Sequence, residues 1–256
     1  MSQYQELKIC VLNLSGNVGK TAMSVHLLKA ERPSAQYISV ESINHSEASD
    51  VDSIVADQFK GSQFKQIYRE LMTNDDVIID VGASNVAVFM EELTKYRSAI
   101  GEFDIVVIPT VPAEKQQKDT IATIEWLSNL GIPAEKIRVV FNQYGAVDTL
   151  NETYAHVQGY ASSVGQTKAS WLPHVIIKNN EVFEMVKAVR ATIRELALDK
   201  TDWVATRKQA KADKDMDAFE NACDSQIRKD LAISAYSDLQ QGYQALLTPY
   251  IKKAKK

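Results

Sequence analysis

An α/β fold is predicted for this chain: a mostly parallel, twisted sheet between two layers of helix, followed by a helical C-terminal stretch. Three observations predict it. Short β-branched runs alternate with longer helical patterns as far as Leu198, which is the signature of βαβ units. Several of those runs are apolar without alternation, as strands covered on both faces are. Beyond Leu198 the strands cease and helical spacing takes over.

Strands are predicted at KICVLNL (Lys8 to Leu14), QYISVES (Gln36 to Ser42), DVIIDV (Asp76 to Val81), DIVVIPT (Asp104 to Thr110) and IRVVFNQ (Ile137 to Gln143), with a weaker one near His174 to Ile177. Helices are predicted between them at Lys20 to Ala30, Ser62 to Met72, Val86 to Ala99, Glu114 to Leu130 and Asn180 to Leu198. Gly131-Ile132-Pro133 stops the fourth of these. Lys200 to Lys256 reads as helix throughout, with Leu231, Ala235, Leu239, Tyr243, Leu246 and Tyr250 in an apolar stripe three or four residues apart. Pro249 is expected to end or kink that helix. The expected division is an α/β domain over 1–199 and a helical extension over 200–256.

Composition bounds the function. The 256 residues are 45% hydrophobic and 24% charged, enough for one sizeable α/β domain plus an extension. A net charge of −4 argues against wholesale electrostatic binding of nucleic acid. Cys10 and Cys223 are too few and too far apart for a disulfide framework and read as reduced thiols. The polar start MSQYQELK lacks the apolar stretch of a secretory signal, so a cytoplasmic protein is expected.

The chemistry concentrates at NLSGNVGKTAMSVHLL. A phosphate-binding loop needs a strand, a glycine-rich turn, and a helix that starts at Lys-Ser/Thr. KICVLNL, SGNVG and KTAMSVHLLKA supply the three. Backbone N–H groups of such a turn and the helix N-terminus make a concave anion site. The cradle would comprise Ser15, Gly16, Asn17, Val18, Gly19, Lys20, Thr21 and Ala22. Lys20 would reach the outer phosphates and the Thr21 hydroxyl would bind Mg²⁺. Asn17 sits where a positive φ is needed, being the next best residue after glycine there. The GxxxxGK[ST] pattern fails at one position, where Leu14 replaces the first glycine. A second motif supports the first. NDDVIIDVGAS is an apolar strand ending in Asp80, placed as a carboxylate that would hold Mg²⁺ through a water.

With both motifs in view, SGNVGKT resembles the KGGVGKT loop of the ParA/MinD family of deviant Walker A P-loop ATPases. VLNLSGNVGKT, ISVESIN, DVGASNV, VIPTVPAEKQQKDT and IRVVFN together resemble the StbB family, ParA-like proteins of plasmid stability and transfer regions. The resemblance covers roughly the first 190 residues and leaves out the helical tail. It implies a three-layer P-loop NTPase with seven or eight mostly parallel strands, binding ATP or ADP with Mg²⁺. It also implies a DNA-binding partner protein and a nucleotide-dependent homodimer. The ParA signature lysine falls on Ser15, which can neither span a dimer gap nor carry the charge.

Two roles stay open. The family's water-orienting Asp has Glu41 as its nearest counterpart, while another register puts Ile43 there. Glu41 is then either the positioning carboxylate or an inert strand-end residue. Asn142 falls where related ATPases pair an amide with the adenine edge; the alternative is a structural cap. In DVGASN, Gly82 and Ala83 are small enough for a backbone N–H to meet the γ-phosphate.

The remaining signals are weaker. EKQQKDT reads as a contact surface or a solvated helix face. His26, His45, His156 and His174 show no paired metal-ligand spacing. The tail from Thr201 carries ten Lys/Arg against eight Asp/Glu, too weak a basic bias for DNA or a membrane. Two functions follow as alternatives: a weak or partner-stimulated Mg-ATPase, with Lys20, Glu41 and Asp80 as its catalytic residues, or a nucleotide-gated adaptor that barely turns over.

Overall fold

The computed structural model describes residues 6–41, 51–147 and 149–250. Ile43, His45 and the basic end IKKAKK lie outside the described residues.

Seven strands form one sheet: β1 (Lys8–Val11), β2 (Gln36–Val40), β3 (Ala56–Phe59), β4 (Val77–Val81), β5 (Ile105–Thr110), β6 (Ile137–Tyr144) and β7 (Ser170–Lys178). Their order is β3-β2-β4-β1-β5-β6-β7, and every adjacent pair is parallel. The chain leaves β1 toward β2 and β3, returns to insert β4 beside β1, then crosses to β5 on the other side. Such a reversal leaves a crevice at the carboxyl ends of the central strands.

Alternation along β1 feeds two cores. Cys10 and Leu12 enter one apolar cluster, with α2 (Phe64–Thr73), α3 (Ala83–Lys95), α4 (Ala99–Glu102), α5 (Glu114–Asn129) and α7 (Ala155–Val164) contributing side chains. Ile9 and Val11 enter the other, with α8 (Val182–Val189), α9 (Ile193–Ala197) and α11 (Met216–Leu247). Covering both faces makes apolar runs without alternation the right strand signal.

The described elements depart from the sequence expectations in five places. β3 escaped notice because ADQF has no apolar pattern; it pairs only with β2, so its polar side chains keep their hydration. The helix expected at Lys20 to Ala30 is α1 (Lys20–Ala22), continued by a π-helical run (Met23–Lys29) in which the Ala30 N–H donates to Val25 O at 2.9 Å. All seven residues of that run are buried, so no polar face is left to reveal the register. The helix expected at Asn180 to Leu198 breaks at Arg190, whose φ is 53°, giving α8 and α9. The tail is two helices, α10 (Trp203–Ala212) and α11, split where Lys214 turns to φ 60°. The short helices α6 (Leu150–Thr153) and α7 were not predicted.

The predicted stripe of α11 packs on the sheet: Ala235, Leu239, Tyr243 and Leu246 are buried in the same cluster as β1. Gly242 permits the approach, since a Cβ there would stand 2.6 Å from Ile177 Cδ1 of β7. Fully buried Arg138 on β6 donates to Ala245 O at 3.1 Å, Leu172 O at 2.7 Å and Pro173 O at 3.0 Å. A cation thereby meets the carbonyl end of α11, where the helix dipole favours it. α11 ends at Leu247, and a 3-10 turn (Thr248–Tyr250) follows, consistent with a stop at Pro249. Among the described residues no helix is long and apolar enough to cross a membrane.

Candidate functional site

The loop between β1 and α1 is anchored before it turns. Asn13 donates its amide to Pro109 O and Thr120 Oγ1, both at 2.8 Å, and accepts the Ser15 N–H at 2.9 Å. The Leu14 N–H donates to Thr123 Oγ1 at 3.1 Å, tying the loop to α5. Asn17 and Gly19 then take left-handed backbone at φ 56° and 86°. Asparagine tolerates that conformation by local hydrogen bonding, as its place in the sequence suggested. Gly19 is required twice over, because a Cβ there would lie 2.3 Å from Asn142 Nδ2.

Lys20 opens α1 with its ammonium turned back onto Ser15 O at 2.6 Å. Only 7% of the residue is exposed. Burial lowers its pKa, while the nearby charges of Asp80 and Glu41 raise it. The lysine is thus a desolvated cation at the loop's centre.

Asp80 lies beside Val11 in the β1–β4 register, at the carboxyl edge below the loop. It is buried, and Tyr37 donates its hydroxyl to Oδ2 at 3.1 Å. Oδ1 has no hydrogen-bond partner among the described residues. Burial pushes the carboxyl pKa up; the hydroxyls of Thr21, Tyr37 and Ser24 and the Lys20 charge pull it back. A buried acceptor without a donor, next to the Thr21 hydroxyl, suits a hard cation.

Glu41 follows β2, its N–H donating to Phe59 O at 2.9 Å. Its carboxylate lies over Gly82: a Cβ on that glycine would fall 2.3 Å from Oε2 and 2.4 Å from Oε1. The Gly82 N–H donates to Val40 O at 3.0 Å. That donor is therefore committed to the sheet.

These parts border one cleft of about 710 Å³. Of the predicted residues, Gly16, Asn17, Gly19, Lys20, Thr21, Ala22, Glu41 and Asn142 line it. Ser15 and Val18 do not; they are buried behind the loop, where their carbonyls accept from Lys20 and from the Asn142 amide at 3.1 Å. Asp80 sits beneath the floor. The wall across from the loop was missed: Gln143, Lys178, Asn179, Asn180, Phe183 and Lys187 line it. The polar run Lys-Asn-Asn at the carboxyl end of a strand was a signal, since ligands in open α/β sheets bind there. Tyr37 and Ser24 behind Asp80 carried no signal.

No protein-family model matches the chain, and no match was found among curated protein sequences. Solved structures do match. The cell division ATPase MinD from Pyrococcus furiosus is 11% identical, covers 91% of this chain and 98% of its own, and superposes with a TM-score of 0.51. MinD complexed with Mg-ADP from Pyrococcus horikoshii is 12% identical over 73% of this chain and 87% of its own, at 0.46. A putative plasmid partition protein from Borrelia burgdorferi, bound to AMPPNP, is 10% identical over 93% and 98%, at 0.47. The first of these, with the strand order and phosphate loop above, shows that this chain has the fold of the MinD-type P-loop ATPases.

Proposed function

We propose that the cleft binds ATP with Mg²⁺ and that the protein is a ParA-like ATPase of slow or partner-stimulated turnover, serving plasmid stability, positioning or conjugative transfer. The observation that carries the reading is the gathering of Lys20, Thr21 and Glu41 on one cleft, with Asp80 beneath it. Lys20 leaves Ser15 O for the outer phosphates, exchanging a neutral acceptor for charged ones. Thr21 and Asp80 would hold Mg²⁺, Asp80 through a water, and the unpartnered Oδ1 fits that task. Bound there, the ion would neutralise charge on the phosphate oxygens. The Glu41 carboxylate, held beside Gly82, would orient the attacking water. A DNA-binding partner protein and a nucleotide-dependent homodimer complete the proposal, resting on the family resemblance. Direct contact with DNA or a membrane is not part of it.

A second reading, a non-hydrolysing nucleotide-gated adaptor for such a partner, is favoured by Ser15. This residue is 2% exposed and uncharged where ParA proteins carry a lysine, so a second copy receives no cation from it.

Nucleotide binding and phosphate release, with and without Mg²⁺, decide the matter. Lys20→Ala is expected to weaken ATP binding about 100-fold, by loss of charge-assisted bonds. Glu41→Ala is expected to retain binding and lose turnover. Tight binding without turnover in the unsubstituted protein establishes the adaptor, and no binding at all overturns both readings.

A further inference from the structure

We propose that Gln143 selects the nucleobase, reading an adenine through its side-chain amide. The inference rests on the nucleotide reading above and names the residue that gives the site its specificity.

The cleft crosses the carboxyl ends of the strands from Glu41 and Gly82, through the loop after β1, to β6 and β7. From β4 to β6 is three interstrand steps, on the order of 14 Å. Phosphates at the loop therefore place the other end of a nucleotide beside β6 and β7.

Asn142, the residue expected to meet the base, is already committed there. It is 6% exposed, its Nδ2 donates to Val18 O at 3.1 Å, and its backbone carbonyl accepts the Tyr154 hydroxyl at 2.6 Å. It also stands so close to the loop that Gly19 has no room for a Cβ. Asn142 is a strut between β6 and the phosphate loop.

Gln143 is different in each respect. It is exposed, it lines the cleft, and its backbone is left-handed at φ 61°. The β6–β7 register shifts between Asn142 and Tyr144, with Gln143 as the residue out of step. Strict alternation would send consecutive side chains to opposite faces. The bulge instead presents both Asn142 and Gln143 to one cleft, and bulges beside functional sites re-aim side chains in this way. Glutamine is a poor choice for positive φ, where glycine is free of strain, so the side chain is kept at a conformational cost. A carboxamide offers a donor and an acceptor side by side. That pair matches adenine N7 and N6, and it mismatches guanine on the same edge, where N7 and O6 are both acceptors.

The test is Gln143→Gly, which fits φ 61° and removes only the side chain. ATP, GTP and tripolyphosphate affinities are measured by competition against a fluorescent ATP analogue, beside Gln143→Glu. The expected result is a wild-type preference for ATP that falls about tenfold in Gln143→Gly, with tripolyphosphate binding unchanged. Gln143→Glu, an acceptor-only side chain, is expected to lose the same preference. An unchanged ATP/GTP ratio, or no preference in the wild type, overturns the inference and leaves the nucleotide reading standing. Parallel loss of tripolyphosphate binding overturns it too, by making Gln143 structural. No nucleotide binding by the wild type overturns both.

Discussion

At its phosphate-loop end the cleft is lined chiefly by one short stretch, Gly16 to Ala22, joined by Glu41, Gly82 and Ala83, whereas its opposite wall comes from Asn142–Gln143 and from residues around α8 that follow two helices and a strand later. The loop end is internally bonded, Asn13 to β5 and α5, Lys20 to Ser15, Tyr37 to Asp80, and its charged groups Lys20 and Asp80 are buried. The opposite wall is largely exposed, with Gln143, Lys178, Asn179 and Lys187 at the surface. Rigid, desolvated groups strengthen charge contacts, while exposed amides and ammonium groups choose among ligands at small cost. On the proposed nucleotide reading, affinity falls to the loop end and selectivity to the wall.

The largest expected effect breaks the link between the two ends. His26 sits in the buried π-helical run, accepts the Ile193 N–H at 3.3 Å, and meets the Phe183 ring of the wall edge-on at 6.0 Å. Burial pushes its pKa down from 6.5 to about 4, against an opposing pull from Glu195. The folded state therefore refuses a proton that the unfolded chain accepts. Stability from this group is complete above about pH 6.5 and drains as the pH falls toward 4, on the order of 3 kcal/mol in all. Urea midpoints of wild type and His26→Gln between about pH 7.5 and about pH 4.5 are expected to converge on acidification. Parallel curves would remove His26 from the account.

A smaller effect tests the strut. Gly19→Ala adds a methyl 2.3 Å from Asn142 Nδ2 at a positive φ, and is expected to cost about 2 kcal/mol. In an Asn142→Ala background the overlap is gone, and the same change should cost about 1 kcal/mol. Equal costs in both backgrounds would mean that the two residues do not press on each other.

The smallest effect is Asn142→Ala alone, expected to cost about 1 kcal/mol for the lost bond to Val18 O. A loss of ATP over GTP preference in this variant, with none in Gln143→Gly, would move base selection from the bulge to the strut.

Legibility in the sequence followed the same divide. The strand–turn–helix around GNVGKT and the strand ending near Asp80 were readable because both are local patterns. Asn17 was readable as a positive-φ residue for the same reason. The stripe of α11 was readable as a helical face, although its partner, the sheet face that carries Ile9 and Val11, was not. ADQF was invisible because an edge strand need not be apolar. The bulge at Gln143 left no mark either, since glutamine does not announce a left-handed backbone.

What the sequence determined by itself was the set of elements whose cause is local: apolar runs, a glycine turn, a Lys-Thr helix start, an amphipathic stripe. Tertiary structure alone decided the commitments of Asn142 and Gly82, the π register under the loop, and which residues close the cleft. Those depend on groups far apart in the chain, such as Val18 and Asn142, meeting at hydrogen-bond distance. Only the packed sheet brings such groups together, and no short-range periodicity encodes the meeting.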